Sequence, residues 1–139
     1  MSDPLDFQGK RALIVGGSSG IGNGIAQSLR ARGADVHVWG TRASADDYAD
    51  EPGSDLTGLT YSQVDANDIA AIEGTAISDT LDVVVCCQGA VEYRRAEFER
   101  EGWDRVLATN VTSVMDCARH TRDALAAAGG GLIIVSSTA

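Results

Sequence analysis

Five short apolar runs alternate with longer amphipathic or polar stretches, and this alternation predicts the secondary structure. The runs occupy residues 12–15, 36–39, 59–64, 81–87 and 132–135. Each has the length of a strand, and the third run alternates apolar and polar residues. Because helical segments separate the runs, right-handed crossovers make the strands parallel. The pattern therefore predicts a doubly wound α/β fold with a five-stranded parallel sheet.

Helical periodicity appears between the predicted strands. Ile21, Ile25 and Leu29 lie at helical spacing after the first strand. A short helix is predicted at residues 68–76 and a long helix at residues 103–127. The long helix carries an apolar stripe formed by Val106, Val111, Val114 and Ala118.

A glycine-rich turn joins the first strand to the first helix and predicts a phosphate-binding site. Its residues are Gly16, Gly17, Ser18, Ser19, Gly20, Ile21 and Gly22. The first turn of a helix has unpaired N–H groups and the positive end of the helix dipole, which favour an anion. Glycine allows a tight turn and close approach of a pyrophosphate, and the two serines can add hydroxyl donors. The alternative is a turn that only joins two elements.

The spacing of these glycines resembles that of one known family. Gly16, Gly20 and Gly22 form G-x-x-x-G-x-G, which resembles the T-G-x-x-x-G-x-G turn of the short-chain dehydrogenase/reductase family, with Val15 in place of the threonine. The resemblance implies a Rossmann-like, NAD(P)-binding domain over residues 1–139 with strand order 3-2-1-4-5. It also implies that the turn and its residue Ile21 contact the cofactor.

The ends of the second and third strands carry further predictions about the cofactor. Gly40 stands at the end of the second strand, where an acidic residue would bind the ribose hydroxyls, and Arg42 can accommodate a 2′-phosphate. This pair favours NADP(H) over NAD(H), unless Arg42 is only a solvated loop charge.

Asp65 follows the third strand, where the family has an Asp at the adenine ring. Its alternative role is to N-cap the next helix.

The second half of the chain carries the remaining matches. The family has N-N-A-G after the fourth strand; only Gly89 is kept, and residues 86–88 are Cys-Cys-Gln, which cannot reproduce the asparagine hydrogen bonds. Asn110 matches the asparagine that interrupts the long helix and holds a water of the proton relay. Ser137 matches the catalytic serine after the fifth strand. The alternatives are a solvent-facing asparagine and a serine at the strand end that caps the next segment of the chain.

The family's Tyr-x-x-x-Lys pair, which moves the proton, is not matched in these 139 residues. None of the three tyrosines has a Lys four residues later, and Lys10 is the only lysine. The resemblance covers about the first half of the usual family length. We therefore expect the chain to be part of a longer polypeptide, with the C-terminal part of the fold missing and the fifth strand left as an open edge. Alone, the 139 residues should be inactive.

Composition narrows the function classes. The net charge of −9 and the pI near 4.5 disfavour nonspecific binding to nucleic acid or anionic membranes. No apolar run approaches membrane-spanning length, and the acidic N-terminus does not resemble a secretory signal. Three cysteines without zinc spacing favour neither a disulfide framework nor a metal site. These features favour a cytoplasmic protein.

The first functional hypothesis is an oxidoreductase that moves hydride between NADP(H) and a secondary alcohol or ketone. By the resemblance it would be a homodimer or homotetramer. The alternative, from another class, is a non-catalytic nucleotide-binding or scaffolding half-domain. A cofactor-free, dehalogenase-like relative is disfavoured by the intact Gly16, Gly20 and Gly22.

Overall fold

The computed structural model describes residues 3–138, and these residues contain a five-stranded parallel sheet with helices on both faces. The strands are β1 (Arg11–Val15), β2 (Asp35–Gly40), β3 (Thr60–Gln63), β4 (Val83–Cys86) and β5 (Gly131–Ile134). Their order is β3-β2-β1-β4-β5. The predicted doubly wound Rossmann-like fold and its strand order are thus confirmed.

The α-helices of the described residues are α1 (Gly20–Ala31), α2 (Ile69–Gly74), α3 (Arg100–Leu107) and α4 (Ser113–Ala128). Short 3₁₀ turns lie at Ala45–Tyr48 and Ala96–Phe98. The long helix predicted at residues 103–127 is present, and its backbone stays helical from α3 to α4 through a π-helical segment, Ala108–Thr112, that lies between them. Segments of this kind are frequent at functional sites.

The core lies on both faces of the three central strands. Successive residues of β1 point to opposite faces: Ile14 packs with Ala26 of α1, and Leu13 packs with Ile72 of α2 and Cys117 of α4. All five of these side chains are buried. A parallel strand covered on both faces is apolar without interruption, which explains the run at residues 12–15.

The fourth strand begins later than the sequence pattern predicts. The carboxylate of Asp82 accepts the N–H of Arg11 at 2.9 Å, so the side chain takes up the donor of the first residue of β1. The hydrogen bond with the Arg11 N–H lowers the pKa of Asp82, against a smaller opposing effect of burial. The Asp82 N–H also donates to Arg11 O at 2.8 Å, and the register of the ladder with β1 begins at Val83, which pairs with Ala12.

The fifth strand lies at one edge and is exposed. It pairs with β4 in the register Val84↔Leu132 and Cys86↔Ile134, and all four of its residues are exposed. Among the described residues, no other strand pairs with β5. No helix in residues 3–138 combines the length and the apolar character needed to cross a bilayer.

Candidate functional site

An open cleft lies where β1, β2, β3 and β4 end at the carboxyl edge of the sheet. It sits where the connections from β1 and β4 leave toward opposite faces, the position at which doubly wound folds bind ligands. Several sites predicted from the sequence line it: Gly16, Ser18, Ser19, Ile21, Gly22, Asp65 and Gly89. Gly20 and Arg42 do not line it.

The glycine turn is so tight that Gly16 and Gly22 have no room for a side chain. Gly16 has φ +73°, and a Cβ there would lie 3.0 Å from the Gln88 nitrogen. A Cβ on Gly22 would lie 2.1 Å from the carbonyl oxygen of Gly16, which is closer than any nonbonded contact. Glycine at residue 22 therefore lets α1 begin directly against the end of β1.

The first turn of α1 presents free donors to the cleft. Ser19 is the N-cap residue, with extended backbone and no capping bond from its side chain. The N–H of Gly20 donates to Gly53 O at 3.1 Å, and the N–H of Asn23 donates to Ser19 O at 3.2 Å. Within residues 3–138, no hydrogen bond accounts for the N–H groups of Ile21 and Gly22. Free donors at the positive end of a helix dipole favour an anion.

The space beyond the end of β2 is filled by hydroxyl groups. A Cβ on Gly40 would lie 2.6 Å from Ser18 Oγ and 2.7 Å from the Tyr48 hydroxyl. Tyr48 is buried, and its hydroxyl accepts the N–H of Arg42 at 3.2 Å. Burial alone would raise the pKa of Tyr48, but hydrogen bonds with Ser18 and Tyr61 outweigh it and lower the pKa. A side chain at residue 40 has no room.

Arg42 is held beside the cleft by three contacts. Its guanidinium lies 4.6 Å from the centre of the Tyr48 ring, its Nη1 donates to Asp47 O at 2.5 Å, and its Nη2 pairs with Glu51 Oε1 at 2.7 Å. The hydrogen bond to Glu51 is the main cause that raises the pKa of Arg42. The predicted cofactor contact of Arg42 remains a prediction.

The segment after β3 contributes Asp65 and a residue that the sequence pattern did not single out. One carboxylate oxygen of Asp65 accepts the N–H of Asn67 at 2.9 Å. The Asn67 amide donates to Thr109 Oγ1 at 3.0 Å, and the Thr109 hydroxyl donates back at 3.1 Å. Asn67 and Thr109 line the cleft. This pair joins the β3 loop to the π-helical segment.

The alternative role of Asp65 as the N-cap of the following helix is wrong. The N-cap residue of α2 is Asp68, whose carboxylate accepts the N–H of Ala70 at 3.0 Å. Three polar residues, Asp65, Asn67 and Asp68, precede this helix, and the one nearest to its first turn caps it. Asp65 is exposed at the cleft.

Asn110 lies in the π-helical segment and holds the chain after β4. Its Oδ1 accepts the N–H of Ala90 at 2.8 Å, and its Nδ2 donates to Ala90 O at 2.9 Å. A Cβ on Gly89 would lie 3.6 Å from the same Oδ1. The structure thus brings Asn110 to the cleft-lining Gly89.

Ser137 lies past the carboxyl end of β5 and is exposed. The β4–β5 pairing continues one residue beyond the strand, since Val135 N–H donates to Cys86 O at 3.0 Å. Because Cys86 pairs with Ile134, Ser137 and Gly89 follow a registered pair by the same number of residues. The sheet therefore delivers Ser137 to the edge that carries the cleft, and its catalytic role stays a prediction.

The Cys-Cys-Gln sequence after β4 forms contacts of its own. Gln88 lines the cleft and donates from Nε2 to Ser113 Oγ at 3.0 Å, which ties the end of β4 to α4. Cys86 and Cys117 are fully buried. The hydrogen bond with Cys86, and then burial, raise the pKa of Cys117. This thiol therefore stays protonated and packs as a small apolar group.

Comparison with known proteins agrees with this geometry. The sequence profile of the family described as short chain dehydrogenase matches residues 10–139. A 3-oxoacyl-[acyl-carrier-protein] reductase of Chlamydia muridarum is 33% identical over 92% of this chain and 55% of its own length. A gluconate 5-dehydrogenase of Gluconobacter oxydans is 33% identical over 95% of the chain and 54% of its own length.

A solved structure extends the likeness to three dimensions. A short-chain type dehydrogenase/reductase from Mycobacterium ulcerans superposes with a TM-score of 0.77 at 29% identity, over 95% of this chain and 52% of that one. The chain spans about half the length of the curated relatives it matches. With the family profile matching nearly every residue, the chain belongs to the short-chain dehydrogenase/reductase family of oxidoreductases, whose members use NAD(P).

Proposed function

We propose that the chain is the cofactor-binding half of an oxidoreductase that interconverts secondary alcohols and ketones with NADP(H). The observation that carries the proposal is the pair of unpartnered N–H groups of Ile21 and Gly22 at the start of α1, in a cleft at the carboxyl edge. A dinucleotide pyrophosphate is an anion, and donors fixed in place cost no reorganisation when it binds. The donor set therefore fits the cofactor.

The residues of the cleft divide the cofactor between them. The turn from Gly16 to Gly22, with Ser18 and Ser19, holds the pyrophosphate, and Asp65 contacts the adenine. Gly89, which has no side chain, leaves room where the chain after β4 meets the cleft. The bound nicotinamide supplies the hydride.

The proton chemistry is assigned to residues at the same edge. Ser137 hydrogen-bonds the substrate oxygen, and Asn110 holds a water of the proton relay. The resemblance assigns the proton itself to a Tyr-x-x-x-Lys pair about a dozen residues after Ser137. General acid–base chemistry needs such a group within hydrogen-bond reach of the substrate oxygen.

A preference for NADP(H) is supported by the space beyond β2. Discrimination for NAD(H) commonly uses an acidic side chain there. Ser18 Oγ and the Tyr48 hydroxyl lie within 2.7 Å of where a Cβ on Gly40 would be, so that side chain has no place. Arg42 is the basic residue nearest along the chain, and it remains exposed to solvent on one side.

A carbonyl or secondary alcohol as substrate is supported by the relatives. One is named a 3-oxoacyl-[acyl-carrier-protein] reductase and another a gluconate 5-dehydrogenase.

We also propose a homodimer or homotetramer, because α3 and the turn before it expose Phe98, Trp103 and Leu107. Three free cysteines fit a reducing cytoplasm.

The proposal is tested by binding and turnover measured separately. We expect NADPH to bind the protein in isothermal titration calorimetry, with NADH weaker. Intact mass spectrometry of the native polypeptide then shows whether residues follow Ala139, and that polypeptide is assayed for loss of NADPH absorbance with a panel of ketones. Binding without turnover would favour the non-catalytic half-domain. Absence of binding by either dinucleotide would contradict both functions.

A further inference from the structure

We propose that Glu51 competes with the 2′-phosphate of NADP(H) for Arg42 and so limits the preference for NADP(H) over NAD(H). The inference rests on the proposed cofactor and adds a specificity-determining residue that does not line the cleft. Glu51 accepts a hydrogen bond from Arg42 Nη2 at 2.7 Å. A phosphate bound to that edge of the guanidinium would have to displace this carboxylate, because both are anions that seek the same N–H donors.

The guanidinium would stay in place without the carboxylate. The Tyr48 ring lies beneath it at 4.6 Å, and Asp47 O accepts from Nη1 at 2.5 Å. Tyr48 is itself buried, so it is a rigid surface for the stacked cation. Neutralising Glu51 therefore removes a competitor and leaves two contacts that keep Arg42 positioned.

The negative charge of the segment around Arg42 also opposes binding of the 2′-phosphate. In residues 41–58, Arg42 is the only Lys or Arg, and the acidic residues are Asp46, Asp47, Asp50, Glu51 and Asp55. This local excess of negative charge opposes a phosphate dianion near Arg42. Glu51 is the carboxylate with a direct contact to the guanidinium, whereas the Asp47 carboxylate accepts the N–H of Ser44.

The size of the effect follows from the exposure of the pair. The side chains of Arg42 and Glu51 are 41% and 47% exposed, so water and salt screen their attraction. Pairs of this kind contribute modestly, and removing the competitor should tighten NADP⁺ binding about two- to fivefold. NAD⁺, which has no 2′-phosphate, should be nearly unaffected.

The matched pair of variants is Glu51→Gln and Asp50→Asn. Each removes one negative charge from an exposed residue of the same segment, but only the first breaks the contact with Arg42. Isothermal titration calorimetry measures the Kd of NADP⁺ and NAD⁺ for the wild type and both variants. We expect E51Q to tighten NADP⁺ binding by more than D50N does, with the ratio of NADP⁺ to NAD⁺ affinity raised.

The same comparison in an Arg42→Ala background completes the test. If Glu51 acts through Arg42, E51Q gives no larger gain than D50N in that background. The inference is overturned if E51Q and D50N are equivalent in the wild-type background, if E51Q weakens NADP⁺ binding, or if its gain persists with R42A. A wild type that binds neither dinucleotide defeats the proposed function itself, and the inference with it.

Discussion

The central strand β1 and the edge strand β5 have similar apolar sequences but different surroundings. In β1, four of five residues are buried, whereas in β5 all four residues are exposed. Both are apolar runs in parallel strands, yet Ile14 is 0% exposed and Ile133 is 54% exposed. β1 lies between two strands with helices on both faces, and β5 pairs only with β4 among the described residues. An apolar run therefore predicts a strand without predicting what covers it.

Apolar side chains outside β5 are exposed as well. Val111 and Met115 on the π-helical segment and α4 are exposed, as are Phe98 and Trp103 near α3. Exposed apolar side chains of this size are candidates for contacts with other protein. The relatives are about twice as long as this chain. Among residues 3–138, the four residues of β5 are left exposed at the edge of the sheet.

The largest test of this comparison removes the same side chain from each strand. Ile14→Ala should lower the free energy of unfolding by about 2–5 kcal/mol, because it leaves a cavity in the core. Ile133→Ala should change it by less than about 0.5 kcal/mol, because the side chain already contacts solvent. Urea unfolding followed by circular dichroism measures both. Equal losses would show that Ile133 is covered in solution.

The second test compares two glycines of α1, Gly22 and Gly24. Gly22→Ala should cost about 1–3 kcal/mol, because the added Cβ meets the Gly16 carbonyl, and should weaken NADPH binding. Gly24→Ala meets nothing within 4 Å, and should stabilise the helix by about 0.5–1 kcal/mol. Thermal unfolding and calorimetric titration measure the two effects. If both variants bind NADPH like the wild type, the tight turn is not what shapes the cofactor site.

The sequence pattern predicts the central strands better than it predicts the site at the carboxyl edge of the sheet. The runs at residues 12–15 and 36–39 lie within β1 and β2, and the first is apolar without interruption, as suits a strand covered on both faces. Residue 22 must be glycine because a Cβ there would meet the carbonyl oxygen of Gly16, six residues earlier in the same turn. Such local requirements can be read from spacing along the chain.

Features made by distant residues are not visible in the pattern. The pairing of Asn67 with Thr109 joins residues 42 positions apart, and nothing in either local sequence indicates it. Asp65 precedes the helix and is therefore a candidate N-cap, but Asp68 lies closer to the first free N–H groups and caps it. The ion pair of Arg42 with Glu51 closes a loop whose shape depends on buried Tyr48.

The last expected effect is a small pH dependence of stability that arises from His37. Burial lowers the pKa of His37 in β2, despite the opposing charge of Asp35, and the ring nitrogen Nε2 is 2.7 Å from Ser62 Oγ. The unfolded state therefore binds more protons than the folded state below the ordinary histidine pKa of about 6.5. Stability should fall as the pH drops through this value, by less than about 1 kcal/mol because the partly exposed ring is screened. In His37→Gln the loss between pH 7.5 and 5.5 should be smaller, as measured by urea unfolding, while the difference between the two proteins stays constant between pH 7.5 and 8.5. Equal losses on acidification would mean that the proton uptake on unfolding comes from other groups.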